Sequence, residues 1–190
     1  MLNIPNSLTI FRIIGSISLP IFLLFNSPET GCLLALIIFL SCSITDFLDG
    51  FLARKLNQES NLGRMLDPVA DKLLVILVLS FLILIYQDTY NYILGIPSVV
   101  IISREILVSG IREYFGSIDG NFDVMKLSKL KTAMQMIAII CLLTSKLSIF
   151  ENLYLSQLGI ICLWFAAGFA LYTGLVYIYR AIILLNKEKT

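Results

Sequence analysis

Four aspartates, two glycines, an alanine and an arginine recur at fixed intervals in one stretch. It runs Asp46-Phe-Leu-Asp49-Gly50-Phe-Leu-Ala53-Arg54, eight residues, then Gly63-Arg-Met-Leu-Asp67-Pro-Val-Ala-Asp71. Apolar runs flank it on both sides. An aspartate at the centre of a membrane-spanning helix costs roughly 2.5–3.5 kcal/mol on insertion scales. Packing can absorb one such residue, but four in this spacing ask for a cation. Residues three or four apart share a helix face, so Asp46 projects with Asp49, and Asp67 with Asp71. Two acidic faces joined by a short turn make an all-oxygen cluster, the donor set of Mg²⁺ or Mn²⁺ rather than Zn²⁺. Arg54, two turns beyond Asp46, matches phosphate oxygens bidentately. Gly50 and Ala53 remove bulk beside the acids, leaving room for a helix or a flat nucleotide.

The elements that must hold these residues lie in a membrane. Of 190 residues, 58% are hydrophobic and 14% charged, with a mean hydropathy of +0.90. A soluble domain of this length could not hide so much apolar surface. One domain, residues 1–190, is expected. The chain has no histidine, so His-based catalysis and His metal sites are excluded. Cys32, Cys42, Cys141 and Cys162 fall in apolar runs without a C-x-x-C pair and read as small buried hydrophobes.

Hydropathy and turn signals predict six transmembrane helices over about 7–25, 31–56, 66–86, 92–115, 130–144 and 158–179, each near the ~20 residues that cross a bilayer. Pro68 is expected in the first turn of the third helix. Residues 26–30, 57–63, 87–91, 116–130 and 145–157 are expected as turns and loops, and 180–190 as a tail. Of 14 Lys and Arg residues, 13 fall on the side that holds both termini, and only Lys146 on the other. The positive-inside rule therefore predicts cytoplasmic termini, with both aspartate pairs near the cytoplasmic face. Tyr86, Tyr90, Tyr92 and Tyr154 sit near predicted outer boundaries and read as interfacial anchors. The expected fold is an all-α integral membrane protein whose polar active site faces the cytoplasm.

Carboxylates with metal, without histidine, cysteine nucleophile or P-loop, suit phosphoryl transfer, which needs positioning and charge stabilisation. One carboxylate can accept the proton of an attacking hydroxyl. A second polar group follows in helices four and five: Arg104, Arg112, Lys126, Lys129 and Lys131. Topology alone explains a basic cytoplasmic loop. Arg104 and Arg112, each followed by Glu, lie inside an apolar helix, where cations fit an anionic acceptor such as a phosphorylated polyol.

At its acidic stretch the chain resembles the CDP-alcohol phosphatidyltransferase family, whose signature D-x-x-D-G-x-x-A-R-x8-G-x-x-x-D-x-x-x-D is met at all eight fixed positions. The resemblance implies a CDP-linked lipid donor, attack by an alcohol on the β-phosphorus, and release of CMP. It implies that Asp46, Asp49, Asp67 and Asp71 bind one or two Mg²⁺ or Mn²⁺ ions, with Asp71 as general base. Gly50, Ala53 and Gly63 would line the cytidine pocket and Arg54 would hold the diphosphate, with Asn6 and Thr9 approaching the nucleotide. The opening Asn3-Ile-Pro-Asn6-Ser-Leu-Thr9-Ile-Phe-Arg12, the segment from Ile102 to Glu113, and Lys129-Leu-Lys131-Thr132-Ala-Met-Gln135 are similar to the branch that forms phosphatidylglycerophosphate. The implied reaction joins CDP-diacylglycerol to sn-glycerol 3-phosphate in the cytoplasmic (inner) membrane, by a homodimer. Rival acceptors are phosphatidylglycerol, as in a cardiolipin-forming relative, or inositol phosphate. A cation transporter would use the same acids, but no repeat or interrupted helix pair is apparent.

Overall fold

The computed structural model describes residues 4–25, 27–56, 61–119, 126–150 and 153–187. The described chain is six helices: α1 Ile4–Phe25, α2 Pro28–Leu56, α3 Asn61–Ile85, α4 Gln87–Asp119, α5 Lys126–Thr144 and α6 Leu153–Lys187, with a 3₁₀ turn at Ser148–Phe150. All six are long and apolar enough to cross a membrane. In hydrocarbon every backbone polar group must be satisfied within the segment, and a helix does this unaided. Polar side chains inside the spans do the same: Ser16, Ser43, Ser80 and Thr144 donate to carbonyls one turn back, at 2.7 Å each.

The helices are longer than their apolar runs. Apolarity marks the hydrocarbon thickness, whereas helical hydrogen bonding continues into the headgroup region. Residues 126–130 are therefore the start of α5 rather than loop, and residues 180–187 complete α6 rather than forming a tail. Pro68 is likewise not in a first turn. It is the eighth residue of α3, because that helix begins at Asn61. Residues 87–91 are helical too, with a kink at Tyr90 (φ −140°, ψ 31°). The start of α2 is capped. Ser27 Oγ accepts the Thr30 amide at 3.3 Å and Pro28 takes the first helical position.

The most extensive packing joins α5 to α6, α1 to α2, α1 to α3, α4 to α6 and α3 to α4. Leu19, Phe39, Val78, Ile101, Leu142 and Leu163 are buried in one continuous core. Three glycines permit the tightest approaches. A Cβ on Gly31 would lie 2.7 Å from the Phe22 carbonyl oxygen of α1. A Cβ on Gly15 would lie 2.8 Å from Cys42 Sγ, and one on Gly159 would lie 2.9 Å from Leu142 Cγ and 3.2 Å from the Ala138 carbonyl.

One end of the bundle is tied by polar contacts. The Glu29 carboxylate accepts the Ser148 amide at 3.0 Å and the Ser148 hydroxyl. Tyr86, expected as an interfacial anchor, is instead buried. Its hydroxyl donates to the Leu142 carbonyl at 2.8 Å and lies 2.6 Å from Ser145 Oγ. Lys146 Nζ lies 4.1 Å from its ring centroid. Tyr86 sits in the single-residue break between α3 and α4, which turns its ring inward. Tyr92 and Tyr154 are exposed, while Tyr90 is half-buried against the core.

Candidate active site

The opposite end gathers the polar and charged side chains of the sequence motifs. In an up-and-down bundle, the starts of odd-numbered helices meet the ends of even-numbered ones. Asn6, Thr9 and Arg12 of α1, Asp67 and Asp71 of α3, and Lys131 of α5 thus come to one end with the C-terminal halves of α2, α4 and α6.

Close packing of α1 on α3 builds a two-rung ladder. Thr9 Oγ1 donates to Asp67 Oδ1 at 2.6 Å, and Arg12 donates to Asp71 Oδ1 at 2.8 Å. Residues three apart on α1 thus meet residues four apart on α3, one turn on each. Thr9 and Arg12 are each 1% exposed, while the Asp71 side chain is 50% exposed. Two buried α1 groups thus fix the orientation of carboxylates that remain accessible. Thr9, expected near the nucleotide, sits on a carboxylate of the motif. Arg12 was quoted above without a role, although a lone arginine in an apolar span was itself the signal. Asn6 and Gly63 are buried nearby in sequence on the same two helices.

The first aspartate pair lies on the C-terminal part of α2. The side chains of Asp46, Asp49 and Arg54, the surroundings of Gly50 and Ala53, and the side chain of Lys126 lie outside the described residues. Among the described residues no group of three or more His, Cys, Asp or Glu could hold a metal. Asp67 and Asp71 still fit one chemically. They are hard oxygen donors one turn apart, each oriented by a polar partner, as outer partners orient metal ligands.

Facing them is the basic group. Arg104 is almost wholly buried: it donates to Ser128 Oγ at 2.8 Å, and its guanidinium lies 5.9 Å from the Tyr177 ring centroid. Gly174 gives it room, since a Cβ there would be 3.3 Å from Arg104 Cγ. Glu105 accepts from Lys131 and lies 3.4 Å from the Arg104 guanidinium. The glutamate beside the arginine thus ties two cations of different helices together. Arg112 and Lys129 are exposed. Lys72, next to Asp71 and unremarked in sequence, donates to Ser109 Oγ of α4.

Between these walls lies a cavity of about 640 Å³, within the size range of small-molecule sites, ~300–1,000 Å³. It exists because α4 and α5 are bridged by long side chains rather than packed backbone to backbone. Asp67 and Asp71 line one side; Arg104, Arg112, Lys129 and Lys131 line the other. Five basic side chains stand against three acidic ones in its lining. A neighbouring cavity of about 480 Å³ between α3 and α4 shares Pro68, Lys72, Arg104, Glu105 and Arg112 with it.

Comparison with known proteins covers nearly the whole chain. Residues 2–185 match the family model described as CDP-alcohol phosphatidyltransferase. A relative from Wigglesworthia glossinidia brevipalpis is 40% identical over 184 residues, 95% of each chain. One from Rickettsia typhi is 42% identical over 178 residues, 93% of this chain and 96% of its own. One from Cereibacter sphaeroides is 34% identical over 221 aligned positions, 98% of this chain and 99% of its own. All three carry the name CDP-diacylglycerol–glycerol-3-phosphate 3-phosphatidyltransferase. With the acidic motif, the six membrane helices and a match along nearly the whole length, this chain belongs to the CDP-alcohol phosphatidyltransferase family.

Proposed function

We propose that this chain is a membrane enzyme that transfers the phosphatidyl group of CDP-diacylglycerol to sn-glycerol 3-phosphate, giving phosphatidylglycerophosphate and CMP. The observation that carries the reading is the two-sided cavity, with carboxylates on α3 and buried cations on α4 and α5. A hydroxyl nucleophile and an anionic tail on one small molecule fit such walls. The relatives' shared name supports the same pair of substrates.

The glycerol phosphate binds with its phosphate at Arg104 and Lys131, assisted by Arg112, Lys129 and Lys126. Arg104 Nε is buried without a hydrogen-bond partner among the described residues, so a donor stands ready for an anion. The primary hydroxyl then points to Asp71, which takes its proton as the oxygen bonds to the β-phosphorus and the bond to CMP breaks. Arg12 holds Asp71 in place during that transfer, and Thr9 does the same for Asp67. Asp46, Asp49, Asp67 and Asp71 would hold one or two Mg²⁺ or Mn²⁺ ions. Bound metal supplies charge neutralisation on the diphosphate. Arg54 grips the diphosphate, and Gly50, Ala53, Gly63 and Asn6 flank the cytidine.

In this reading residues 1–190 are one domain. The site opens to the cytoplasm from the inner membrane, where the nucleotide-activated lipid and a soluble acceptor meet, and the working unit is a homodimer. The test is CMP release by purified protein in lipid micelles, with CDP-diacylglycerol, Mg²⁺ and separate alcohol acceptors. Glycerol 3-phosphate should support turnover, while inositol phosphate, phosphatidylglycerol and uncharged glycerol should be poor. Excess chelator should abolish turnover. Wild-type rates in chelator would overturn the metal assignment, and preference for another acceptor would overturn the substrate.

A further inference from the structure

Gln135 is 1% exposed, lines the cavity, and has its Oε1 buried without a hydrogen-bond partner among the described residues. Buried polar atoms are nearly always partnered, and each exception calls for an explanation, such as a catalytic role or a group bound from outside the chain. Gln135 lies one turn after Lys131 on α5, on the same face, about 6 Å further along the axis. An uncharged amide there cannot serve the phosphate as a lysine does. It offers one acceptor and two donors, the complement of a hydroxyl, which donates one hydrogen bond and accepts others.

We infer that Gln135 reads the secondary hydroxyl of the acceptor and so sets which enantiomer of glycerol phosphate is used. This deepens the substrate reading above and rests on it. Three fixed points make the argument. Arg104 and Lys131 hold the phosphate, Asp71 receives the proton of the primary hydroxyl, and all three residues line the same cavity as Gln135. With phosphate and primary hydroxyl pinned and the central carbon kept to one side by the cavity wall, only one handedness presents its hydroxyl to a third point. Gln135 is that point. The enantiomer, sn-glycerol 1-phosphate, turns the hydroxyl away, and 3-hydroxypropyl phosphate has none. Either leaves the buried amide without its partner, which is how a polar site rejects an analogue.

The test measures kcat/KM for sn-glycerol 3-phosphate, its enantiomer and 3-hydroxypropyl phosphate, in wild type and Gln135→Leu. Wild type should favour sn-glycerol 3-phosphate over each analogue by about 10- to 100-fold. In Gln135→Leu both ratios should fall to about one, chiefly through loss of the natural acceptor. The ligand-free variant should melt no lower than wild type, because an apolar replacement removes an unpaired buried polar atom. Should the leucine variant not accumulate in membranes, Gln135→Met, of similar length and shape, is measured in the same way. Ratios kept at the wild-type value in a folded variant, or a lowered melting point with unchanged ratios, would identify a structural amide and overturn the inference. The substrate reading would survive that result, because wild type would still turn over glycerol 3-phosphate. Absence of CMP release with sn-glycerol 3-phosphate in wild type overturns both together.

Discussion

Asp71 is at once the most accessible and the most deeply supported acid described in the site: half exposed itself, it is held by an arginine that solvent hardly reaches. That contrast separates two roles. Asp71→Asn keeps the shape and removes the proposed base, so on that proposal kcat should fall about 10²–10⁴-fold. The apparent affinity for CDP-diacylglycerol should change much less. Arg12→Met should lower kcat through the same carboxylate, so the double variant should be little worse than Asp71→Asn alone. Losses that multiply independently would show that Arg12 acts elsewhere. The cations also separate by burial. Losing a charge-assisted hydrogen bond costs about 1.5–3 kcal/mol, or roughly 10- to 150-fold. Arg104→Ala should therefore raise KM for glycerol 3-phosphate by that range, and exposed Arg112 by less, with little change for CDP-diacylglycerol. Equal KM values in wild type and both variants would remove these arginines from the acceptor site.

Helices position these groups through a few close contacts, and the α5–α6 pair, the most extensively packed, is one such case. Gly159→Ala would push a methyl against Leu142 and the Ala138 carbonyl. Overpacking of this kind costs about 1–3 kcal/mol, so a lower melting temperature in detergent is expected. Because α5 carries Ser128 and Lys131 while α6 carries Tyr177 beneath Arg104, separating the pair should also raise KM for glycerol 3-phosphate. An unchanged melting temperature would mean that Leu142 yields without strain. At Gly174 the neighbour is the flexible stem of Arg104, so Gly174→Ala should affect the acceptor KM more than stability.

At the scale of the whole molecule the two ends differ. One is closed by Glu29–Ser148 and by Tyr86 against Leu142 and Ser145; the other opens into the cavity. If the open end faces the cytoplasm, a cysteine at exposed Ile149 should react from outside intact cells with an impermeant maleimide. A cysteine at exposed Ser7 should react only after permeabilisation. Background should be low, since Cys32, Cys42 and Cys141 are buried, and the part-exposed Cys162 lies within the α6 span. The reverse pattern would invert the orientation derived from Lys and Arg placement.

The number of membrane helices, their rough positions and the acidic motif were legible in the chain because each is local. Hydrocarbon thickness dictates span length, and helical periodicity dictates that Asp67 and Asp71 share a face. The basic residues of α4 and α5 were likewise visible as charges in apolar surroundings. What local pattern could not carry was partnership. That Thr9 meets Asp67 and Arg12 meets Asp71 depends on how closely α1 packs on α3. That Glu105 joins Lys131 rather than simply neutralising its neighbour depends on the gap between α4 and α5. Tyr86 shows the same limit: its position read as an interfacial anchor, and a one-residue break turned it into the core. Helix ends and the kink at Tyr90 were also decided in three dimensions, since backbone hydrogen bonding outlasts the apolar run that signals it. Spacing along one helix is set by its own geometry; contacts between helices separated by more than fifty residues are set by packing, which the linear pattern does not encode.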